Sequence, residues 1–298
     1  MIRRLSPLVH TPAALIGGAL FVFVIGYCVV TPLVSPFDPD DADFSISRQP
    51  PSAAHLFGTD QFGRDLFTRL AVGGRTTLLI AFAALGIILV VGLAYGTVAG
   101  LAGRRVDMVM MRVLDGLLAI PRLPVSIVIL VVLSLRAQNV QTVVLALSVV
   151  NWMLTARLVR GEVLSLRKRD YVRAAQALGA GRLAVARRHI VPNSLGVVIV
   201  AVFLELPGVV VGEAFLSVLG LGPEAPTATW GNIALEGIHF GRLSMLVLPS
   251  AAIALFAVSA NFLADGLHDA LDPRRWSRRR VPGRRRGLRR LLLAEKRA

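Results

Sequence analysis

The sequence predicts an all-α integral membrane protein with about six membrane-crossing helices. Three observations predict it: an apolar composition, six apolar segments of spanning length, and basic residues crowded to one side of them. Of the 298 residues 55% are hydrophobic, and the mean hydropathy is +0.67, beyond the range of ordinary soluble domains. A bilayer core of about 30 Å needs roughly 20 apolar residues as helix. Such segments run approximately over 12–34, 76–102, 107–135, 140–160, 194–219 and 243–267. With the N-terminus inside, 26 of the 33 Lys and Arg fall on cytoplasmic segments, against 6 outside and Arg122 within a span. Without the stretch 268–298 the bias is still 14 against 6, so both termini are expected in the cytoplasm.

The first span follows Arg3 and Arg4, as a signal peptide would. It is too long for an h-region and no small-residue cleavage site follows it, so a retained anchor is expected. Residues 1–75 then form an anchor helix and an external loop, 76–270 the transmembrane core, and 271–298 a basic cytoplasmic tail. In the external loop Asp38, Asp40, Asp41 and Asp43 resemble a calcium loop, but Asp43 stands where Gly is needed and Gln49 where Glu is needed. A solvated loop is the reading. The third span is interrupted at Ile120-Pro121-Arg122-Leu123-Pro124; proline removes a backbone donor and kinks a helix. Pro121 therefore marks either a bend beside a translocation path or a plain kink packed against neighbours.

Ionisable residues inside spans are candidates for function. Asp115 lies three residues from Arg112, which predicts a local pair. Glu205 and Glu213 are eight residues apart, about two turns, and are expected on one face of the fifth span. Either they line a pathway or they hydrogen-bond between helices. Enzyme chemistry finds no support. There is no G-x-x-x-x-G-K-[ST] phosphate loop, the five histidines are scattered, and the one cysteine, Cys28, sits in an apolar run. The net charge of +15 raises nucleic acid as a partner, but aromatics are only 6% and do not interleave with the basic residues. Anionic lipid is the expected partner of the tail.

The longest cytoplasmic loop, 161–193, has a different composition. Asp170 to Leu178 reads as a short helix, Gly179 and Gly181 bracket a turn, and Leu183 to Ile190 reads as a second helix stopped by Pro192. Ala174, Ala175 and Ala177 permit close approach by another surface, and the nearby arginines offer charge pairs. Between spans five and six, Pro223, Pro226 and Trp230 suggest a stiff external element. Trp230 is there either for contact with an external partner or as a headgroup anchor.

Four motifs carry a family resemblance. Ala174-Ala175, Gly179 and His189-Ile190-Val191-Pro192 resemble the E-A-A-x3-G-x9-I-x-L-P loop of ABC importer permeases, with Arg173 for Glu, His189 for Ile and Val191 for Leu. Leu56-Phe-Gly-Thr-Asp60 with Gly63-Arg64-Asp65 is similar to an element of the C-type permease of the dipeptide, oligopeptide and nickel branch. So are Glu213-Ala-Phe-Leu-Ser-Val-Leu-Gly-Leu-Gly222 with Trp230-Gly231-Asn232, and Asp265-Gly-Leu-x-Asp-Ala-Leu-Asp-Pro273.

The resemblance implies a type I importer permease in the inner membrane of a prokaryote, with no catalytic residue or cofactor of its own. It implies a homologous second permease, two ABC ATPases that bind ATP-Mg, and an extracytoplasmic solute-binding protein. Tyr171, Arg173, Ala174, Ala175, Leu178, Gly179, Leu183, Arg187, Arg188, His189 and Pro192 would form the coupling loop seated on an ATPase. Asp115, Pro121, Glu205 and Glu213 are candidates for the path or gate, and Trp230, Gly231 and Asn232 for binding-protein contact. Di- or oligopeptides are the implied cargo, with nickel or glutathione as alternatives within the family. A gradient-driven transporter using Glu205 or Glu213 as proton carriers is the alternative outside it.

Overall fold

The computed structural model describes residues 12–134 and 138–271; the expectations for Arg136 and for the basic stretch beyond 271 lie outside the described residues. Helix α1 (Pro12–Val34) buries Ala14, Gly17, Phe21, Val24, Cys28 and Thr31. Those steps of three and four residues make one helical stripe. Leu15, Ile16, Val22, Phe23 and Leu33 on the other faces are bare, as suits a helix against lipid.

Helix α2 (Leu66–Leu101) starts ten residues before the expected second span, so the expected boundary at 75/76 falls inside a continuous helix. The reason is local: Asp65 caps it, its Oδ2 accepting from the Thr68 N–H and hydroxyl at 2.8 Å each. At about 1.5 Å per residue the 36 residues run ~54 Å, well past a bilayer core of ~30 Å.

The expected third span is two helices, α3 (Arg104–Leu118) and α4 (Arg122–Ser134), bent by 86° at Pro121. Helix α5 (Val140–Leu166) then runs parallel to α2. Gly92, Gly96 and Gly100 on α2 lie against Thr155, Ala156, Val159 and Val163 on α5. A Cβ on Gly96 would stand 2.4 Å from the Ala156 carbonyl oxygen, so only glycine lets the backbones approach this closely.

Helices α6 (Asp170–Ala177) and α7 (Arg182–Val185) form the expected hairpin. The expected stop at Pro192 is not there. Arg182–Leu221 runs on as a chain of helical segments, with a π-turn at Ala186–Ile190 leading into α8 (Val191–Leu204). A widened turn makes room for a ring that would otherwise meet the carbonyl four residues back. The break comes instead at Glu205, before Pro207 in α9 (Leu206–Leu216). A second π-turn, Ser217–Leu221, ends with Gly220 at φ +78°. Helices α10 (Trp230–His239) and α11 (Leu243–Leu271) complete the described chain.

Among the described residues five helices are long and apolar enough to cross a membrane, or six if the bent pair is one span. Helix α1 ends where α2 begins: the Tyr27 hydroxyl donates to the Phe67 carbonyl at 2.7 Å. The start of α11 is tied there too, Arg242 Nη2 donating to the Thr59 carbonyl at 3.1 Å. This is the loop end of the bundle. Helices α2 and α5 finish together at the opposite, hairpin end, where Arg167 donates to the Gly100 carbonyl at 2.7 Å.

Candidate functional site

Chemistry-bearing side chains gather at three levels. At the hairpin end, Val172, Val185 and Ile190 are buried in the main core, so the hairpin is rooted in the bundle. Helix α6 closes with a Schellman turn: Ala180 N–H donates to the Ala175 carbonyl and Gly179 N–H to that of Gln176, both at 3.0 Å, with Gly179 at φ +88°. The turn pushes Leu178 out to 89% exposure, and Leu183 across it stands at 70%. Arg173, Ala174, Arg187, Arg188 and Pro192 are exposed, Tyr171 is largely so, and Ala175 is half-buried. His189 is half-buried with its ring 6.1 Å from that of Tyr171. Two bare leucines on a rigid, anchored turn among arginines make a knob of docking character.

At mid-level the expected pairings change. Asp115 does not pair with Arg112; it meets Arg157 of α5, and Asp107 meets Arg160, whose Nη2 lies 2.7 Å from Oδ2. Helix α3 meets α5 only locally, around Leu114, Met153 and Ala156, and the long arginine side chains of α5 reach across to its acids. Asp115, Asp107, Arg104, Arg112 and Arg160 line a cleft of about 350 Å³. Pro121 is exposed at the bend.

Glu205 and Glu213 do not share one environment, because the helix breaks between them. Glu205 sits at the break, 3.8 Å from Arg122. Glu213 is fully buried and accepts from the Thr77 hydroxyl at 3.0 Å and the Ser217 hydroxyl at 2.8 Å. Thr77 in turn accepts from the Trp230 N–H at 3.1 Å, so this knot joins α2, α9 and the start of α10. Replacing Glu213 with leucine is expected to strand both hydroxyls, at about 1–3 kcal/mol each. Glutamine should cost much less. Thermal melting of the detergent-solubilised variants checks the difference.

The residues expected to face a binding protein are turned inward. Trp230 is fully buried, its Nε1 donating to the Leu70 carbonyl at 3.0 Å and its ring set edge-on to Phe256. This corrects both readings of Trp230, as external contact and as headgroup anchor: in this geometry it has no surface to offer. Gly231 lies against Ala214 and Ser217, where a Cβ would come within 2.5 Å of Ser217 Cβ. Asn232 Nδ2 donates to the carbonyls of Pro223 at 2.8 Å and Thr227 at 3.2 Å, tying down the loop before α10.

Sequence reasoning missed an ionic cluster at the loop end. Glu236 of α10 accepts from Arg69 Nη2 at 2.6 Å, Arg64 Nη2 at 3.0 Å and Gln61 Nε2 at 3.2 Å. Asp60, fully buried, takes Arg64 Nε at 2.6 Å. The loop between α1 and α2 is thus solvated only in its first part, where the Ser45 hydroxyl and N–H hold the exposed Asp43 carboxyl below the usual carboxylate range. From His55 to Asp65 it is strapped to the bundle. The Gly63-Arg64-Asp65 motif was the available signal.

Comparison with known proteins bears on the family and the fold. The family described as "Binding-protein-dependent transport system inner membrane component" matches residues 92–277, and "N-terminal TM domain of oligopeptide transport permease C" matches residues 5–51. The oligopeptide transport system permease protein OppC of Bacillus subtilis (strain 168) is 38% identical over 263 residues, 88% of this chain and 85% of that protein. The dipeptide transport system permease protein DppC of the same organism is 39% identical over 88% of this chain and 82% of its own length. OppC of Escherichia coli (strain K12) is 37% identical over 89% and 88%. The solved structure "Crystal structure of an amino acid ABC transporter with histidines" superposes with a TM-score of 0.52 at 18% identity, covering 68% of this chain and 94% of that one. That last likeness speaks to the fold alone. With most of its length aligned to such relatives, the chain belongs to the family of binding-protein-dependent transport system inner membrane components.

Proposed function

We propose that the chain is one permease of an ATP-driven importer of di- and oligopeptides, working by alternating access beside a homologous second permease. Two ATPase subunits that hold ATP-Mg and an external solute-binding protein complete the assembly. The observation that carries the reading is the anchored hairpin with Leu178 and Leu183 bare at its tip, in a chain of this family. A rigid knob rooted in the core can transmit a push from an ATPase groove, where a slack loop would absorb it.

In this reading the chain lies in the inner membrane of a prokaryote, with the hairpin end in the cytoplasm and the strapped loop outside, an orientation supported by the bias of Lys and Arg. The chain itself has no catalytic part in this scheme. Alternation needs a change in how the spans pack, and the bent pair at Pro121 and the break at Glu205 are its natural hinges. Peptides are preferred over nickel or glutathione because the relatives compared are named for peptides.

The test is uptake of a labelled dipeptide into proteoliposomes holding the complex co-purified with this chain. ATP and the binding protein should both be required, and collapsing the proton gradient should leave uptake in place. Uptake by the chain alone, driven by a gradient and lost in Glu205→Gln or Glu213→Gln, would instead make it a secondary transporter.

A further inference from the structure

Two breaks in the helical framework carry opposite charges, and the fold brings those charges together. Arg122 is the first residue of α4, directly after the 86° bend at Pro121. Glu205 is the junction between α8 and α9, where Pro207 has no N–H to return to the Phe203 carbonyl. Arg122 Nη1 stands 3.8 Å from Glu205 Oε2 and donates to Asn151 Oδ1 at 3.3 Å. Asn151 is held in turn by its Nδ2, which donates to the Leu147 carbonyl at 2.7 Å. Helix α5 thus offers a fixed acceptor beside the pair. Asn151 lies near the middle of the 27-residue α5, and Glu205 between helices of 14 and 11 residues. The pair therefore sits at mid-depth of the bundle, where an unpaired charge is costly and a charged surface faces a water-filled path or another protein chain. Its side chains keep 39% and 25% of their surface. A pair this open parts far more easily than a buried one, because each charge can regain water as it leaves.

We infer that Arg122 and Glu205 form a clasp that holds the two breaks in register and restrains their movement until the transport cycle is triggered. Each charge adjoins the backbone break on its own side. A change of angle at Pro121 swings Arg122 away with α4, and a change at Glu205 carries its carboxylate away with the α8–α9 junction. Neither hinge can turn far without parting the pair. Asn151 stays behind on the straight helix α5 and keeps Arg122 aimed for re-closure. The role in the cycle rests on the importer reading; the clasp itself rests on the geometry of this chain alone.

The experiment has two arms. In the first, the full-length chain in lipid nanodiscs carries spin labels at cysteines replacing the exposed Val128 of α4 and Ile199 of α8, with Cys28, the one native cysteine, changed to alanine. Pulsed electron resonance should give one narrow distance distribution for the parent chain. Arg122→Gln and Glu205→Gln should each broaden it or add a second, longer distance. The double variant Arg122→Gln/Glu205→Gln should be no broader than either single one, because a clasp is lost only once. Unchanged distributions in both single variants, or effects that add in the double variant, would overturn the clasp. In the second arm, ATP hydrolysis by the co-purified complex without binding protein should rise by about two- to fivefold in each single variant. An unchanged or lower rate in a complex that still takes up dipeptide would overturn the restraining role. Absence of ATP-driven uptake by the unmodified complex would instead count against the importer reading and leave the distance result standing.

Discussion

Gly96→Leu is expected to unfold the seam between α2 and α5 and leave little monodisperse protein after extraction. Even a methyl group there would lie 2.4 Å from the Ala156 carbonyl oxygen and 2.6 Å from Val159 Cβ. The first is backbone and cannot turn aside. Overpacking a formed core costs about 1–3 kcal/mol, and a leucine forced against backbone belongs at the upper end or beyond. The control is Gly86→Leu on the same helix, where a Cβ would meet nothing within 4 Å; it should behave as wild type. Size-exclusion chromatography after heating separates the two. If both variants run as intact protein, the close parallel packing of α2 on α5 is wrong.

In the assembled complex, Gly179→Pro is expected to separate ATP hydrolysis from uptake, with transport down by tenfold or more and insertion unchanged. Proline holds φ near −65°, whereas Gly179 sits at +88°, and the change also deletes the bond from its N–H to Gln176. The turn that projects Leu178 would be lost while the buried roots at Val172, Val185 and Ile190 remain. Leu178→Asp tests the contact without touching the turn. Burying a leucine is worth about 1.5–3 kcal/mol, so an aspartate at that place should weaken ATPase binding by tenfold or more. Ala175→Glu adds a third arm, putting a long charged side chain in place of a half-buried methyl group on the docking face. Normal coupled uptake in all three would show that the hairpin is not the ATPase contact.

Much of the fold was legible because a bilayer imposes a crude rule. Apolar runs near 20 residues must be helices, and the ends of the first and last spans follow from the same rule. The hairpin was legible too, since a positive φ at Gly179 follows from helix-terminating chemistry within a few residues. Pro192 was misread for a related reason. Local steric rules say that proline ends a helix, but they do not say that a π-turn upstream can absorb it.

The site residues divide in the same manner. Periodicity placed Glu205 and Glu213 two turns apart on one continuous helix; Pro207 and the break at Glu205 give them separate surroundings. Asp115 lies three residues from Arg112, yet Arg157 of a neighbouring helix takes it. A membrane tryptophan is commonly interfacial, but Trp230 is enclosed because Gly74 leaves a space beneath it that any side chain would fill.

By itself, then, the sequence determined that the chain is helical and membrane-crossing, where its apolar runs lie, how its basic residues are biased, and that a capped hairpin projects between two of them. Those features follow from properties of one residue and its near neighbours: hydropathy, charge, and the allowed φ of glycine and proline. Only the tertiary structure decided that Gly92, Gly96 and Gly100 form the α2–α5 seam. It alone joined Thr77, Glu213 and Trp230, and brought Arg64 and Arg69 to Glu236, 172 and 167 positions away along the chain. The physical reason is range. Such partners are chosen by the shape in which helices pack, and a buried charge accepts whichever opposite charge or hydroxyl that packing delivers.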